Sequence, residues 1–348
     1  MDLSLFYFAN DSTEPGDKGR YELLLEGAKF ADENGFSAVW TPERHFHPFG
    51  GMYPNPSVLG AAVASVTERV AIRAGSVVAP LHHPARIAEE WSVVDNLSGG
   101  RVGVAFASGW NSVDFALRPG VYDERKRIVS ERVGEVRTLW QGGSVPGTDG
   151  LGRPVDVRAF PPPVQRELPV WLTSGGSVET FQEAGRLRAG VLTHLLVQDL
   201  DILAEKIREY RRVAAAEHDG WPGHVALMVH TLVGEDVAAV KEQARRPLTE
   251  YLKSSLHLSA RSVVGDSVDL STLPPEDVEF LAAQSFERYF HQGGLFGSVE
   301  HAAEVAARIG EIGVDEIACL IDFGVQTKDV LASLEHLGRL RTLVASAG

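Results

Sequence analysis

The feature that most constrains this chain is an alternation, kept along nearly its whole length, of short apolar runs with segments of helical periodicity. The apolar runs are Leu3–Phe8, Ser37–Trp40, Val70–Val78, Arg101–Ala107, Val170–Thr173, Val191–His194, Val225–Val233 and Glu316–Ile321. Between them lie Lys18–Asn34, Pro56–Val66, Pro84–Asn96, Asp123–Trp140, Val178–Arg188, Leu200–Glu217 and Ser298–Ile312, and Lys328–Leu343 closes the series. A run that is apolar throughout fits a strand buried on both faces, which calls for a parallel sheet covered by helices. In the first helical segment Tyr21, Leu24, Leu25, Ala28 and Ala31 share one face, and Asn34-Gly35 supplies a left-handed stop. Eight such strands favour a closed α/β architecture, the (β/α)8 TIM barrel, over an open doubly wound sheet, because closure removes the unpaired edges. The 348 residues suit one barrel domain with insertions.

Two stretches depart from the alternation. Residues 141–169 are rich in Gly and Pro, and Pro161-Pro162-Pro163 is too stiff for either regular element; they read as a surface excursion. Residues 235–296 lie between strand 7 and the helix that leads to strand 8, with helices expected at about Asp236–Leu252 and Pro275–Phe290. An insertion on a βα connection sits at the C-terminal face of a barrel, so it serves either as a lid or as a further packing layer.

Charge and cysteine usage exclude several partners. A formal charge of −14 lacks the clustered Lys and Arg that a nucleic-acid surface or acidic lipid requires. Cys319 is the single cysteine, which leaves no disulfide framework, and it lies inside an apolar strand, unlike a nucleophile. Leu3–Ala9 is too short for a leader or a membrane span. A cytoplasmic location is the expectation.

In a barrel of this kind, chemistry gathers at the C-terminal ends of the strands. There the sequence places Asn10, the trio Glu43-Arg44-His45, Gly75-Ser76, Ser108-Gly109-Trp110-Asn111, Ser174-Gly175-Gly176-Ser177, His194, His230 and Asp322. The Ser-Gly-Gly-Ser turn precedes a helix, so its amides, hydroxyls and the positive helix end suit a phosphate; an ordinary Ser cap explains the same residues. His45-Phe46-His47 and His82-His83 invite a metal, but the first pair sits on a loop between Pro42 and Pro48, and separate polar side chains are the simpler reading. No metal is expected. Arg44 would by itself be read as an ion-pair partner of Glu43 or Asp322, and His45 as a satisfied rim histidine.

Taken together, NGFSAVWTPERHFHPFGGMYPNP (34–56), PLHHPARIAEEWSVVDNLSGGRVGVAFASGWN (80–111) and PPPVQRELPVWLTSGGSVETFQEAG (161–185) resemble the luciferase-like flavin-dependent monooxygenases. GVLTHLLVQDLDILAEKIREYRR (190–212) and ACLIDFGV (318–325) are similar to the branch associated with polyketide and nonribosomal peptide biosynthesis. The resemblance implies reduced FMN as cofactor, supplied in trans by a separate flavin reductase. It also implies a C4a-(hydro)peroxyflavin that hydroxylates a natural-product intermediate or oxidises it in Baeyer–Villiger fashion. By position it implies that Ser174, Gly175, Gly176 and Ser177 hold the FMN phosphate, and that Gly75-Ser76 carries a non-prolyl cis peptide under the ring system. It places Ser108, Gly109 and Asn111 near the ribityl chain or phosphate, and His45 beside the flavin as a catalytic group. Arg44 replaces a catalytic histidine of bacterial luciferase, so light emission is not expected; its permanent charge would stabilise an anionic peroxide or a substrate oxyanion. A homodimer through the third and fourth helices and a small or carrier-protein-bound substrate complete the implied picture. The alternatives are a deazaflavin-dependent oxidoreductase of the same superfamily and a flavin-binding protein without turnover.

Overall fold

In the computed structural model, which describes residues 1–8, 19–196, 198–263 and 275–346, eight parallel strands form the closed barrel expected. They run β1 (Asp2–Phe6), β2 (Ala38–Thr41), β3 (Ala71–Val78), β4 (Val102–Ala107), then β7 (Val170–Ser174), β8 (Gly190–His194), β9 (Val225–Gly234) and β11 (Glu316–Leu320). Closure comes from the β8–β9 and β11–β1 pairings. Around the strands lie α1 (Glu22–Glu33), α2 (Pro56–Ala64), α3 (Pro84–Ser98), α4 (Arg125–Trp140), α5 (Val178–Arg186), α6 (Leu200–Glu217), α9 (Val299–Glu311) and α10 (Thr327–Ser346). Asn10 and the start of the first expected helix at Lys18 lie outside the described residues.

Local chemistry sets the helix starts. The Asn55 side chain accepts from the amides of Ser57 and Val58 ahead of Pro56 at the first turn of α2, and the Asp199 carboxylate accepts from Ile202 at the start of α6. Helix α3 ends on Gly99 at φ 71°, the left-handed stop that glycine adopts without steric cost.

The lower barrel is closed by a charged plug rather than by aliphatic layers alone. Arg73 Nη1 lies 2.6 Å from Glu316 Oε2, and its guanidinium packs at 4.9 and 4.6 Å from the rings of Trp40 and Trp171, which meet each other edge to face at 5.2 Å. Trp40 Nε1 donates to Glu316 Oε1 at 2.9 Å, so the carboxylate is satisfied from two strands. Trp40 and Phe6 together pack under Gly75, where a Cβ would approach the Phe6 ring to 2.7 Å and the Trp40 ring to 3.1 Å. The plug is thus the floor of whatever occupies the mouth.

Two findings correct the sequence reading. The excursion 141–169 contains an antiparallel hairpin, β5 (Val145–Thr148) with β6 (Pro154–Val157); the Asp149 carboxylate stabilises its turn by accepting from the amides of Leu151 and Arg153. The triple proline stays outside both strands. The insertion holds α7 (Val237–Val263), longer than expected and carrying Pro247 in its interior, and α8 (Pro275–Arg288). After a π turn it ends in a further strand, β10 (Leu295–Ser298). β10 pairs with Thr231–Gly234, the part of β9 that outruns its barrel neighbours.

Candidate active site

A cavity of about 310 Å³ opens where the strands end, enclosed by residues from β1, β3, β4, β7, β8 and β9, by Pro42 and Glu43 just after β2 and by Tyr251 of α7. Of the residues expected to bind a cofactor, Gly75, Ser76, Ser108, Gly109 and Gly175 line it. The Gly75–Ser76 peptide is cis, as the resemblance implied, and the Ser76 and Thr173 hydroxyls stand 2.5 Å apart. The mouth therefore pairs an apolar floor with hydroxyl groups on adjoining walls, the composition of a site for a planar, polar-edged ligand.

The Ser-Gly-Gly-Ser turn lies at this mouth but is already occupied by its own chemistry. Ser174 Oγ accepts from the Gly176 amide and donates to the Ser177 carbonyl. Ser177 is the N-cap of α5 without capping it through its side chain; its Oγ donates instead to Glu179 Oε2 at 2.5 Å. That hydrogen bond and the residue's own amide hold the Glu179 carboxyl below its ordinary range. A carboxylate so placed takes the position at the helix end that an external anion would seek.

The trio after β2 divides. Glu43 lines the cavity, whereas Arg44 and His45 are not among the lining residues. Arg44 is buried, 2% exposed, and pairs with neither Glu43 nor Asp322. Its Nη1 meets both Asp114 oxygens at 2.7 and 2.9 Å, its guanidinium lies 4.9 Å from the Trp110 ring, and its Nε and Nη2 have no partner. Asp114 and Trp110 themselves line the cavity, so the cation stands one layer behind the wall. Burial raises the Asp114 carboxyl above its ordinary value despite Arg44 and Asn111. Asn111 donates to Asp114 at 2.6 Å and does not line the cavity. Asp322 instead accepts from the Phe8 amide and the Tyr53 hydroxyl.

Glu43 ties three elements together. One oxygen meets His45 Nε2 at 2.8 Å and His82 Nε2 at 2.6 Å, and the other accepts from the Val78 amide at 2.7 Å. Burial pushes its carboxyl up, but these hydrogen bonds and the His82 charge outweigh it and leave the net value lowered. For His82 burial pushes down, and the Glu43 contact carries the net value above the ordinary one. The Glu43 contribution to stability is present above about pH 4.3 and fades as pH falls through its lowered folded value; the His82 contribution is full below about pH 6.5 and fades as pH rises through its raised one. A His82→Gln variant is therefore expected to lose more stability at pH 5.5 than at pH 8.5, read as urea midpoints. An equal loss at both values would show the contact to be non-ionic.

Asp114, Thr173 and Tyr251 are site residues that sequence reasoning missed. Asp114 lies 70 residues from Arg44 in the chain, and only the fold brings them together. Among the described residues no group of three His, Cys, Asp or Glu side chains is arranged to hold a metal ion.

Comparison with known proteins decides the family. The profile of the luciferase-like monooxygenases matches residues 1–318. The chain belongs to this family. Membership places it among the flavin-dependent monooxygenases. The oxygenase component of the flavin-dependent trigonelline monooxygenase from Acinetobacter baylyi is 25% identical over 345 residues, covering 97% of this chain and 93% of that protein. The oxygenating constituent of the 3,6-diketocamphane monooxygenase from Pseudomonas putida, solved with FMN, shares the fold at a TM-score of 0.75 and 17% identity over 99% of this chain and 98% of that one. An F420-dependent secondary alcohol dehydrogenase shares it at a TM-score of 0.68 and 20% identity over 99% of both chains. The same fold thus occurs in a protein solved with FMN and in an F420-dependent one. No helix among the described residues is long and apolar enough to cross a membrane.

Proposed function

We propose that this chain is the FMN-dependent oxygenase of a two-component system, which receives reduced flavin from a separate reductase and uses O2 to hydroxylate a natural-product intermediate or oxidise it in Baeyer–Villiger fashion. The observation that carries the reading is the mouth cavity, with Gly75 and Ser76 on one wall and Gly175, from the Ser174–Ser177 turn that leads into α5, on another. The A. baylyi relative, named as an oxygenase component, supports a reductase in trans. When bound, reduced FMN would supply the activation of O2. The chain's residues would do the rest: Phe8, Phe49 and Tyr251 pack over the mouth and exclude water. Arg44 sets a positive potential behind the wall, and His45, hydrogen-bonded to Glu43, exchanges a proton at its ring nitrogen.

The shared fold of the F420-dependent enzyme favours a deazaflavin as the second reading. Phosphate recognition tests both. Ser177→Ala is expected to weaken FMN about 10-fold or more, the worth of a hydrogen bond to a charged group, while riboflavin changes little. Glu179→Gln, which withdraws the competing carboxylate, is expected to tighten FMN. Fluorescence titration checks both; equal loss of FMN and riboflavin in Ser177→Ala would remove the phosphate role, and binding of F420 in place of FMN would favour the second reading.

We extend the proposal to a single domain over residues 1–348, with 235–296 as a lid, and to a cytoplasmic homodimer through α3 and α4. Val93 and Leu97 on α3 are 45% and 62% exposed, which supports that interface. A carrier-protein-bound substrate would dock beside the lid.

A further inference from the structure

Buried polar atoms without partners are rare in folded proteins, and each asks for an explanation. Besides Arg44, two residues with such atoms sit together here: both ring nitrogens of His230 and the Tyr289 hydroxyl are buried and unpartnered. Met228 lines the mouth cavity, and His230, two residues on in extended β9, presents to the same face. His194 on neighbouring β8 also lines that cavity. Aromatic rings box His230 in, with Tyr251 at 4.5 Å and 81°, Tyr289 at 5.6 Å and 88°, and Phe323 at 5.6 Å and 78°.

Tyr251 is the partition. It lines the mouth cavity and also a second cavity of about 720 Å³ between α7 and the loop after β11. Pro247 lies one turn before it in α7 and cannot donate to the carbonyl of Gln243, which softens the helix at that point.

We infer that His230 is the hydrogen-bonding anchor of the substrate site: with Tyr251 withdrawn, the two cavities join over its imidazole, and the joined space takes over that ring an uncharged, ring-sized apolar group bearing one hydroxyl or carbonyl. The substrate role rests on the flavin reading above; binding at His230 does not. The part of the ligand over His230 is uncharged, because the three rings around it give no counter-charge and an unpaired ion is costly to bury there; the charges Arg246, Glu250 and Asp329 line the second cavity. Burial, with His194 close by, pushes His230 down to about 3, so the ring offers one donor and one acceptor to a neutral group at every working pH.

The test uses the full chain without flavin and two probes of equal shape, 4-ethylphenol and ethylbenzene. Long-range ¹⁵N–¹H spectra of the imidazoles are expected to show the His230 nitrogens moving with 4-ethylphenol and not with ethylbenzene. Calorimetry is expected to show the phenol preferred about 5- to 10-fold, the worth of one neutral hydrogen bond. His230→Phe should erase that preference while FMN affinity stays unchanged, and Tyr251→Ala should tighten both probes. The same preference in His230→Phe, or still His230 nitrogens in both the parent and Tyr251→Ala, overturns the inference. Failure of the parent to bind FMN would strike the flavin reading alone.

Discussion

Replacing Glu316 by alanine is expected to cost the barrel about 3–5 kcal/mol, the usual loss when one partner of a buried ion pair is removed. Glu316 is fully buried, and its carboxyl is lowered because Arg73, His224, Ser4 and Trp40 together outweigh the burial that pushes it up. Without it Arg73 stays packed against Trp40 and Trp171 with its counter-charge gone. Joint replacement by Arg73→Met and Glu316→Leu is expected to recover most of the loss, since a buried pair is often no more stable than a well-packed apolar one. Urea unfolding of the three proteins checks this. A single-variant loss below about 1 kcal/mol, the scale of a surface pair, would show that the plug does not brace the barrel.

Arg44→Met is expected to slow the reaction of bound reduced FMN with O2 by about 10²-fold, the scale of losing one preorganised charge partner at a reaction centre. Equilibrium FMN affinity should stay within a few-fold, because Arg44 does not line the cavity. A structural role alone would give the same loss in Asp114→Asn, which breaks the same pair but keeps the cation. Asp114→Asn is therefore expected to retain most of the rate. Stopped-flow oxidation in air distinguishes the two, and an Arg44→Met rate equal to the parent's would retire the charge role.

The barrel was legible because buried parallel strands leave unbroken apolar runs such as Val225–Val233, and because the stop at Asn34-Gly35 and the Pro56 and Pro84 starts are local signals. β10, Leu295–Ser298, was not, since a short strand containing glycine exists only because β9 outruns its neighbours. Nor was the β5–β6 hairpin, whose turn is held by Asp149 and whose strands contain Pro146, Gly147 and Pro154. The full reach of α7 was not legible either: the expected helix passes through Pro247 to Leu252, and no local signal in the sequence carries it on to Val263. In the site, the Ser174–Ser177 turn was legible because a strand end locates it, whereas Gly75-Ser76, inside β3, was singled out through the family resemblance. The Arg44–Asp114 pair and the box around His230 were not legible. Each depends on side chains meeting from elements distant in sequence, with no spacing rule to announce them.

The most direct test of the central claim is an anaerobic titration of the purified chain with FMNH2, followed by tryptophan fluorescence, beside a parallel titration with reduced F420. The account predicts saturation at one FMNH2 per chain and no comparable response to reduced F420. Saturation by reduced F420 with none by FMNH2, or no response to either, would contradict it.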